Sequence, residues 1–449
     1  MIIYSFQFRT INIRQFSSAL YITRDKAQKN FAVLTPIIDF DEQLKQKDRL
    51  IENIKARQLP IDLNVVKERW DFFKNIENKK GILEQTKSEL GPIITRLMKH
   101  PDNENFGEEI NKLKLHLKVV KEDLKSLRSM SSEVEEEIVL QVLNLPNSLH
   151  KKTPLDKECE VFSYLEKIES TSESHLTIAN KKGYIKYISP LHCYLKSDAA
   201  LFERAMQNYF NEELLNLNYT QFSNCDFVRS VVVEGCGSNP WLDNCEVFTL
   251  ENVHNFNRDD LNKLHLSGAS SLYSFMAYFT KHCLESSHLP IKAFCLGRNY
   301  VTAKPCSSPS LFHLNQSSDI GIFIATLEKE DILETVLNEA IALYKQLGFH
   351  FRIVLVAANK LKRAESLRMS IEMFSNHLLS YVEVGYVSFY QDYLSKRLLF
   401  NYNDGKNRKY PYVVNGSLMN IHKVVGCLLE NKYLKKEHLM NDLLSKYAV

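Results

Sequence analysis

The feature that most restricts the fold is a hydrophobic repeat in the first third of the chain. Six apolar residues recur at alternating intervals of three and four, namely Ile110, Leu113, Leu117, Val120, Leu124 and Leu127. This spacing is typical of the a/d seam of a coiled coil, because it keeps one apolar stripe on one face of a helix. A weaker seam precedes it, through Phe73, Ile76, Leu83, Leu90, Ile94 and Leu97. The pattern predicts two long helices that bury their seams against each other.

The stretch between the two seams predicts a chain reversal. Residues 100–107 run His-Pro-Asp-Asn-Glu-Asn-Phe-Gly, and Pro, Asn and Gly end a helix and permit a turn. We therefore expect an antiparallel two-helix hairpin over residues 66–140, about 45 Å long at ~1.5 Å per residue. Gly91 and Pro92 interrupt the first seam. Because proline lacks an N–H, we expect the first helix to kink or end there.

The second helix of the predicted hairpin carries an uneven charge. The whole chain has a net charge of only +3, so any surface for a polyanion must come from local segregation. Between residues 111 and 128 the basic residues Lys112, Lys114, Lys118, Lys121, Lys125 and Arg128 face only two acids. A basic stripe on a projecting helix favours RNA binding, because each neutralised phosphate releases a counterion. A solvated coiled-coil face has the same composition, so both interpretations stay open.

The first 24 residues are typical of a mitochondrial targeting segment. They contain Arg9, Arg14 and Arg24 with several Ser and Thr, and no acid precedes Asp25. The sequence Arg14-Gln15-Phe16-Ser17 places an Arg two residues before an aromatic, which predicts matrix processing before Ser17. We therefore expect a protein of the mitochondrial matrix. The alternative is a basic terminus without a targeting role.

The remaining composition argues against several classes of protein. The nine cysteines are odd in number and form no CxxC pair, so neither a disulfide framework nor a Cys-rich zinc site is predicted. No apolar run is long enough to predict a membrane span. The glycine-rich signatures of Rossmann and P-loop sites do not occur. We expect no metal and no cofactor.

The chain beyond the hairpin has a mixed helix and strand pattern. The predicted domains are a transit peptide at 1–24, an N-terminal domain with the arm at 25–150, a linker at 151–165 and an α+β domain at 166–449. Helices are expected over 199–217, 327–347 and 418–430, and strands over 228–233, 351–358 and 398–402.

A series of short strings, in a shared order, resembles seryl-tRNA synthetase. They are Val142-Leu143-Asn144-Leu145-Pro146-Asn147 after the arm, Tyr194 to Leu201, Asp226 to Arg229, Val233 to Gly237, Asn415-Gly416-Ser417 and Leu428 to Asn431. The resemblance runs from about residue 45 to the C-terminus. It implies an α+β class II synthetase fold, with an antiparallel coiled-coil arm before an antiparallel sheet flanked by helices, used as a dimer. The chain especially resembles a group of insect mitochondrial paralogues with a catalytically degenerate pocket.

The resemblance also implies where a synthetase pocket would lie, and most of its residues differ from the family. In the motif that binds ATP, Arg298 remains while Tyr300 stands for an acid. On the return strand His313 replaces an Arg, Ser317 the aromatic that stacks on adenine, Asp319 a Lys and Gly321 a Glu. Arg binds carboxylate and phosphate bidentately, so these losses bear directly on ATP and amino acid binding.

The other candidate positions follow the same trend. Ala269 and Ser271 replace the Thr and Glu with which the family binds serine, and Phe389 replaces an Asn. Leu418 replaces a Gly and Lys423 the Arg for the γ-phosphate, whereas Glu383 persists. We expect Leu418, with His422, to crowd the ATP site. Each lost charged hydrogen bond costs about 1.5–3 kcal/mol, and together these losses predict that seryl-adenylate chemistry is gone.

The predicted function is therefore that of a non-catalytic paralogue. It would bind the active mitochondrial seryl-tRNA synthetase as a heterodimer, bind mitochondrial RNA or tRNA, and support mitochondrial translation. At the family's dimer motif Cys225 stands where a Pro is usual, which indicates a changed interface; a homodimer is the alternative. Two further hypotheses stay open: an active but atypical mitochondrial serine-tRNA ligase, and a purely structural coiled-coil scaffold.

Overall fold

The structure, a computed structural model, describes residues 18–21, 34–98, 106–167, 173–240, 246–250, 263–302, 308–327, 331–405, 407–431 and 446–447. Most of the predicted transit peptide, the centre of the predicted hairpin turn, and Cys245 and Cys306 lie outside these residues. The chain forms two compact units. Here the arm means the described residues of 60–145 with Tyr21, and the body means the other described residues.

The helices are α1 (Phe40–Leu44), α2 (Lys47–Ala56), α3 (Leu63–Met98), α4 (Phe106–Leu143), α5 (His175–Lys182), α6 (Asp198–Asn216), α7 (Ser230–Gly235), α8 (Leu272–Phe279), α9 (Asp331–Leu347), α10 (Tyr393–Leu398) and α11 (Ile421–Glu430). The strands are β1 (Cys159–Tyr164), β2 (Ile185–Ser189), β3 (His192–Leu195), β4 (Thr220–Gln221), β5 (Phe227–Arg229), β6 (Phe248–Thr249), β7 (Leu264–Leu266), β8 (Cys283–Glu285), β9 (Ile291–Tyr300), β10 (Gln316–Thr326), β11 (Phe351–Leu355), β12 (Leu367–Ser375), β13 (Ser380–Gln391), β14 (Asn401–Asp404), β15 (Asn407–Lys409) and β16 (Tyr412–Asn420). None of the described helices is both long and apolar enough to cross a lipid bilayer.

The arm is the predicted hairpin of two long helices, α3 and α4. Its ion pairs join Arg69 to Glu137 and Glu84 to Arg128, at 3.0 and 2.7 Å, so the two helices run in opposite directions. The centres of both seams are buried, with Ile76 and Leu90 on α3 and Val120 and Leu124 on α4. The seam spacing therefore identified both the helices and the faces that they bury.

The first helix does not end at Pro92, because α3 continues through Gly91 and Pro92 to Met98. The alternative, a kink at this point, stays a prediction. Pro92 lies on the exposed side, while Leu90 and Ile94 on either side of it are buried in the seam. The Thr95 hydroxyl also donates a hydrogen bond to the Gly91 carbonyl at 2.9 Å. Packing of the seam thus holds the helix together across a residue that would weaken an isolated helix.

The body is built on an eight-stranded sheet in the order β1-β11-β12-β13-β16-β10-β9-β4. Its neighbouring strands are antiparallel except for the short β4, which pairs parallel to β9. Helices α5, α6, α9 and α11 pack their apolar sides with residues such as Ile320 and Ile322 into one continuous core. An α+β class II fold of this kind agrees with the predicted fold class.

Several predicted boundaries differ from the structure. The predicted linker contains β1, which pairs with β11 as an edge of the sheet, and residues 34–59 belong to the body rather than to the arm. The apolar run 228–233 is a strand only to Arg229 and then becomes α7. The predicted helix 418–430 begins at Ile421, because residues 412–420 form the central strand β16. Leu398 ends α10, so the last predicted strand begins only at Asn401.

Buried Arg57, just after α2, ties three separate segments of the body together. Its guanidinium donates to the carbonyl oxygens of Asn147, Lys362 and Glu365 at 3.0, 2.9 and 2.5 Å, and to the Asn53 side chain at 2.8 Å. The Asn147 amide in turn donates to the carbonyls of Ala364 and Tyr390. This contact gives a physical reason for the Leu-Pro-Asn string after the arm: its Asn fixes the loop 362–365.

Candidate functional site

A cavity of about 550 Å³ opens on the face of the sheet opposite the main helical layer. Strands β9, β10, β13 and β16 contribute to it, together with the segment 311–314 and Lys362. Of the candidate residues, His313, Ser317, Glu383 and Lys423 line this cavity. They share it with residues that the sequence did not single out as candidates, chiefly Asn299, Asp319, Lys362, Tyr386, Ser417 and Asn420.

Asp319 is buried on the cavity floor and is already surrounded by hydrogen-bond donors. The hydroxyls of Ser317 and Ser417 lie 2.6 and 2.8 Å from its carboxylate oxygens, and the Asn420 amide lies at 3.0 Å. Burial raises the pKa of Asp319, and the hydrogen bonds from Ser317 and Ser417 and the charge of Lys423 oppose that rise. The group at the position of the family's Lys is therefore a carboxylate whose lone pairs are taken up by its own neighbours.

Glu383 is likewise paired within the protein. Arg368 donates to its two carboxylate oxygens at 2.7 and 3.3 Å and reaches Glu365 at 2.9 Å with its other terminal nitrogen. The same guanidinium lies 3.9 Å from the centre of the Tyr386 ring. Burial acts to raise the pKa of both carboxyls, but the pKa of each is lowered, by Arg368 and Lys362 at Glu365 and by Arg368 and Lys423 at Glu383. Both acids stay ionised, and both form an ion pair with Arg368.

Lys423 is the remaining cation at the cavity wall. Its ammonium group has no hydrogen-bond or ion-pair partner among the residues that the structure describes. Burial lowers the pKa of His313, and the charge of Lys423 lowers it further. Lys362 is different, because it forms an ion pair with Glu246 at 2.6 Å. The cavity thus presents one uncommitted ammonium group beside a neutral imidazole.

Strand alternation places Arg298 on the other side of the sheet from the cavity. Its guanidinium forms an ion pair with Glu203 of α6 at 3.0 Å, and both groups contact the Ser318 hydroxyl. The neighbouring His422 is buried, accepts the Ser318 N–H at 3.2 Å, and has its pKa lowered to about 4 by burial. Arg298 therefore has a structural partner and does not reach the cavity.

The expected crowding of the pocket by Leu418 and His422 is wrong. Leu418 belongs to the hydrophobic core, next to a bulge in the pairing of β10 with β16. Phe389 is also a core residue, edge-on to His150 at 5.9 Å. Tyr300 ends β9, and its N–H donates to the Ser267 carbonyl at 3.1 Å. None of these bulky side chains lines the cavity.

The segment 268–271 packs directly on the sheet beside the cavity. It contains Ala269 and Ser271, which stand at the positions of the family's serine-binding Thr and Glu. A Cβ added at Gly321 would lie 2.4 Å from the Ser270 carbonyl oxygen, and one at Gly297 would lie 3.0 Å from the Ala269 methyl. Ser270 is tied down by a 3.0 Å hydrogen bond from its hydroxyl to the Arg298 carbonyl. Main-chain atoms therefore fill the space that a side chain at position 321 would occupy.

Ala269 and Ser271 have local roles in this segment. The Ala269 N–H donates to the Asp226 carboxylate at 2.8 Å. The Ser271 hydroxyl caps α8 by accepting the Ser274 N–H at 3.3 Å, which is a typical use of Ser at a helix start. Neither residue lines the cavity.

A small second sheet, β5-β7-β6, presents an apolar face. Phe227 and Leu264 are exposed by 49% and 36%, while Val228 and His265, which alternate with them, are buried. The register pairs Phe227 and Phe248 with Leu266, so their side chains share this face. Cys225, the candidate interface residue, is exposed just before β5. An apolar face of this kind is typical of an interaction surface.

The candidate RNA-binding residues of the arm are all exposed, but they do not form a single stripe. Intervals of four, three and four keep Lys114, Lys118, Lys121 and Lys125 on one face of α4, here called the lysine face. Lys112 lies two positions before Lys114, which places its side chain roughly 160° around the helix from that of Lys114. Arg128 is engaged in the ion pair with Glu84. The lysine face is therefore narrower than the sequence predicted.

Sequence reasoning missed the charged group formed by Lys362, Glu365 and Arg368. These residues sit in a loop and at the start of β12 and match no motif, and only their even spacing of three marks them. Asp319 was noted only as a replacement for a Lys. Ser317, one of its hydrogen-bond donors, lies only two residues away, but Ser417 and Asn420 lie 98 and 101 residues away, so no local signal could reveal those two contacts.

Comparison with known proteins first identifies the class. The model of the tRNA synthetase class II core domain (G, H, P, S and T) matches residues 253–432. The fold is similar to that of seryl-tRNA synthetase from Pyrococcus horikoshii complexed with ATP, with a TM-score of 0.78 and 15% identity over 92% of this chain and 98% of that one. The cytoplasmic serine-tRNA ligase of Naegleria fowleri, in complex with AMP, gives 0.75 at 16% identity over 89% and 94%. The body thus has the fold of a class II aminoacyl-tRNA synthetase.

Sequence relatives narrow the class to one family. The serine-tRNA synthetase-like protein Slimp of Drosophila melanogaster is 31% identical over 92% of this chain and 89% of its own length. The mitochondrial serine-tRNA ligase of Mus musculus is 23% identical over 86% of this chain and 77% of its own. The chain belongs to the seryl-tRNA synthetase family.

The contact at Gly321 predicts the effect of a single methyl group. We expect Gly321→Ala to lower the free energy of unfolding by about 1–3 kcal/mol, because the new Cβ collides with a main-chain oxygen that cannot rotate away. Urea-induced unfolding measures this change. Gly81→Ala is the matched control, since a Cβ at Gly81 on α3 meets no atom within 4 Å. Equal stability of the two variants would contradict the packing of 268–271 on β10.

Proposed function

We propose that this chain is a non-catalytic member of the seryl-tRNA synthetase family that acts in the mitochondrial matrix by binding. In this proposal it pairs with the active mitochondrial seryl-tRNA synthetase, contacts mitochondrial RNA through its arm, and supports mitochondrial translation. The observation that carries the loss of catalysis is the packing of segment 268–271 on Gly297 and Gly321. These atoms leave no room for a side chain at position 321, where the resemblance implies a Glu.

The charges of the cavity support the same proposal. ATP and an amino acid carboxylate require cations that face the ligand, and the free amino group of serine requires an uncommitted acid. Arg298 lies across the sheet, and Arg368 is shared by Glu365 and Glu383. Asp319 is hydrogen-bonded by its own neighbours. A single ammonium group, that of Lys423, is left to oppose a triphosphate.

Two observations support a mitochondrial location. The first 24 residues have the composition of a transit peptide, with a predicted processing site before Ser17. Mitochondrial serine-tRNA ligases of Mus musculus, Bos taurus and Saccharomyces cerevisiae are among the relatives, each matched over more than 85% of this chain.

The loss of catalysis predicts that serine-dependent ATP–pyrophosphate exchange is at least about 100-fold slower than for an active mitochondrial seryl-tRNA synthetase. The reason is that removal of even two charged hydrogen bonds, at about 1.5–3 kcal/mol each, accounts for a factor of this size. This protein and the active synthetase, both at full length, are assayed side by side with serine and ATP. A rate within tenfold of the active enzyme would favour the alternative, an atypical ligase.

The apolar face of β5-β7-β6 supports a dimer. It combines the exposed side chains of Phe227 and Leu264 with those of Phe248 and Leu266, and monomeric proteins rarely leave such faces uncovered. Cys225 lies directly beside it, at the position where the resemblance implies a Pro. A changed residue at the rim of a retained apolar face favours pairing with a related chain over pairing with itself.

We predict that co-expression with the active mitochondrial seryl-tRNA synthetase yields a mixed dimer, detected by native mass measurement. Phe227→Asp should reduce the mixed species at least tenfold, because it places a charge in a desolvated apolar contact. Leu379→Asp is the control, since Leu379 is 63% exposed at a distant turn. Two separate homodimers with no mixed species would overturn this part of the proposal.

The lysine face supports RNA binding by the arm. Its four ammonium groups are exposed, and none has an ion-pair partner among the described residues of the arm. They recur every three or four residues, so neighbouring charges are about 5–6 Å apart along the helix axis. That separation suits successive phosphates of one strand. A purely structural scaffold would not need charges concentrated on one side.

Lys112 and Lys118 offer a matched test of this assignment, because both are exposed lysines of the same helix. With the full-length protein and a mitochondrial tRNA fraction, Lys118→Glu should weaken binding about tenfold at low salt. It should also reduce the slope of log affinity against log salt by about 0.7, the loss of one phosphate contact. Lys112→Glu should change both quantities little. Equal effects of the two variants, or binding that ignores salt, would contradict the lysine face.

A further inference from the structure

The short segment 18–20 lies buried in the body. Ser18, Ala19 and Leu20 are exposed by only 4%, 1% and 2%, and Leu20 is among the largest fully buried side chains. All three contribute donors to the carboxylate of Glu234 on α7. The Ser18 hydroxyl lies 2.5 Å from it, the Ala19 N–H 2.9 Å and the Leu20 N–H 3.0 Å. One carboxylate thus holds three consecutive residues.

This contact has the features of a built binding site. Two successive backbone N–H groups converge on one anion, and charge-assisted hydrogen bonds of this kind are stronger than neutral ones. The Ser18 hydroxyl also accepts the Leu20 N–H at 3.1 Å, which closes a small turn around the carboxylate. The buried Leu20 side chain adds an apolar anchor.

The position of this segment relative to the predicted processing site gives it a further meaning. Cleavage before Ser17 would remove all residues up to Phe16 and leave Ser18 as the second residue of the mature chain. We propose that Glu234 is the docking site that holds the chain's own new N-terminus after processing. This inference rests on the proposed mitochondrial import.

Processing also changes the charge beside Glu234. Hydrolysis of the Phe16–Ser17 peptide bond consumes one water and leaves a carboxylate on Phe16 and an amino group on Ser17. That amino group takes up a proton and becomes an ammonium, whereas in the precursor the same nitrogen is an uncharged amide. Two residues, at most about 7 Å of chain, separate it from the Ala19 nitrogen. Attraction between this ammonium and the Glu234 carboxylate would favour the processed form over the precursor.

The docking is tested with recombinant chains that span residues 17–449 and 21–449, each with and without Glu234→Gln. We expect the chain 17–449 to melt about 5 °C higher than 21–449. Glu234→Gln should lower the melting temperature of 17–449 by several degrees and leave 21–449 nearly unchanged, because its partners are then already absent. Glu212→Gln, at an exposed position of α6, is the control and should have no effect in either chain.

Equal melting temperatures of 17–449 and 21–449, or an equal effect of Glu234→Gln in both, would overturn the docking site. If 21–449 does not fold, Glu234→Gln in 17–449 decides, and an unchanged melting temperature refutes the proposal. N-terminal sequencing of the protein from mitochondria tests processing separately. A start at Ser17 supports the proposal, and a start at residue 21 or later overturns it. An intact Met1 would refute import but leave the melting result on Glu234 standing.

Discussion

One guanidinium, that of Arg368, determines what the central cavity of the body can hold. Two carboxylates, Glu365 and Glu383, are kept ionised next to the cavity, and an ionised acid at such a depth needs a partner. Arg368 forms ion pairs with both carboxylates and stacks on Tyr386, so its positive charge is balanced within the protein and is not available to a ligand. In the loop before it, Arg57 donates hydrogen bonds to the carbonyl oxygens of Lys362 and Glu365, and the Asn147 amide donates one to that of Ala364. Arg57 also donates to the Asn147 carbonyl, which ties the two donors together. The charge state of the cavity and the attachment of α2 to the sheet therefore depend on the same few residues.

The arm and the fold class were predictable from the sequence, because both rest on local spacing. Alternating intervals of three and four identified α3, α4 and their buried faces, and ordered strings identified the synthetase body. Local signals failed where tertiary packing decides. Pro92 was expected to kink or end the first helix, but α3 continues through it, with Leu90 and Ile94 buried on either side. The run 228–233 was expected to be one strand, but an apolar run without a period does not distinguish a strand from a short buried helix.

The candidate site was predictable only in part, because four of its eleven predicted pocket residues line the cavity. His313, Ser317, Glu383 and Lys423 line the cavity, whereas Arg298 and Leu418 lie elsewhere. A shift of one residue reverses the side of the sheet to which a side chain points, and the bulge between Ile320 and Gly321 makes such a shift in the pairing with β16. The sequence contains no mark of this bulge. The hydrogen bonding of Asp319 was not predictable either, because Ser417 and Asn420, which donate to its carboxylate, come from another part of the chain.

The close approach of Gly321 to the Ser270 carbonyl has an evolutionary consequence. Had the space beside position 321 been filled by a large side chain, one substitution could empty it again. Here it is filled by main chain, and the 2.4 Å that separates a new Cβ from that oxygen leaves no room for any other residue at 321. An acid could return there only after the segment 268–271 had moved, and that movement would first disrupt the cap of α8 and the bond to Asp226. A side chain at 321 and a shift of segment 268–271 would therefore have to arise together, because either change alone passes through a less stable protein.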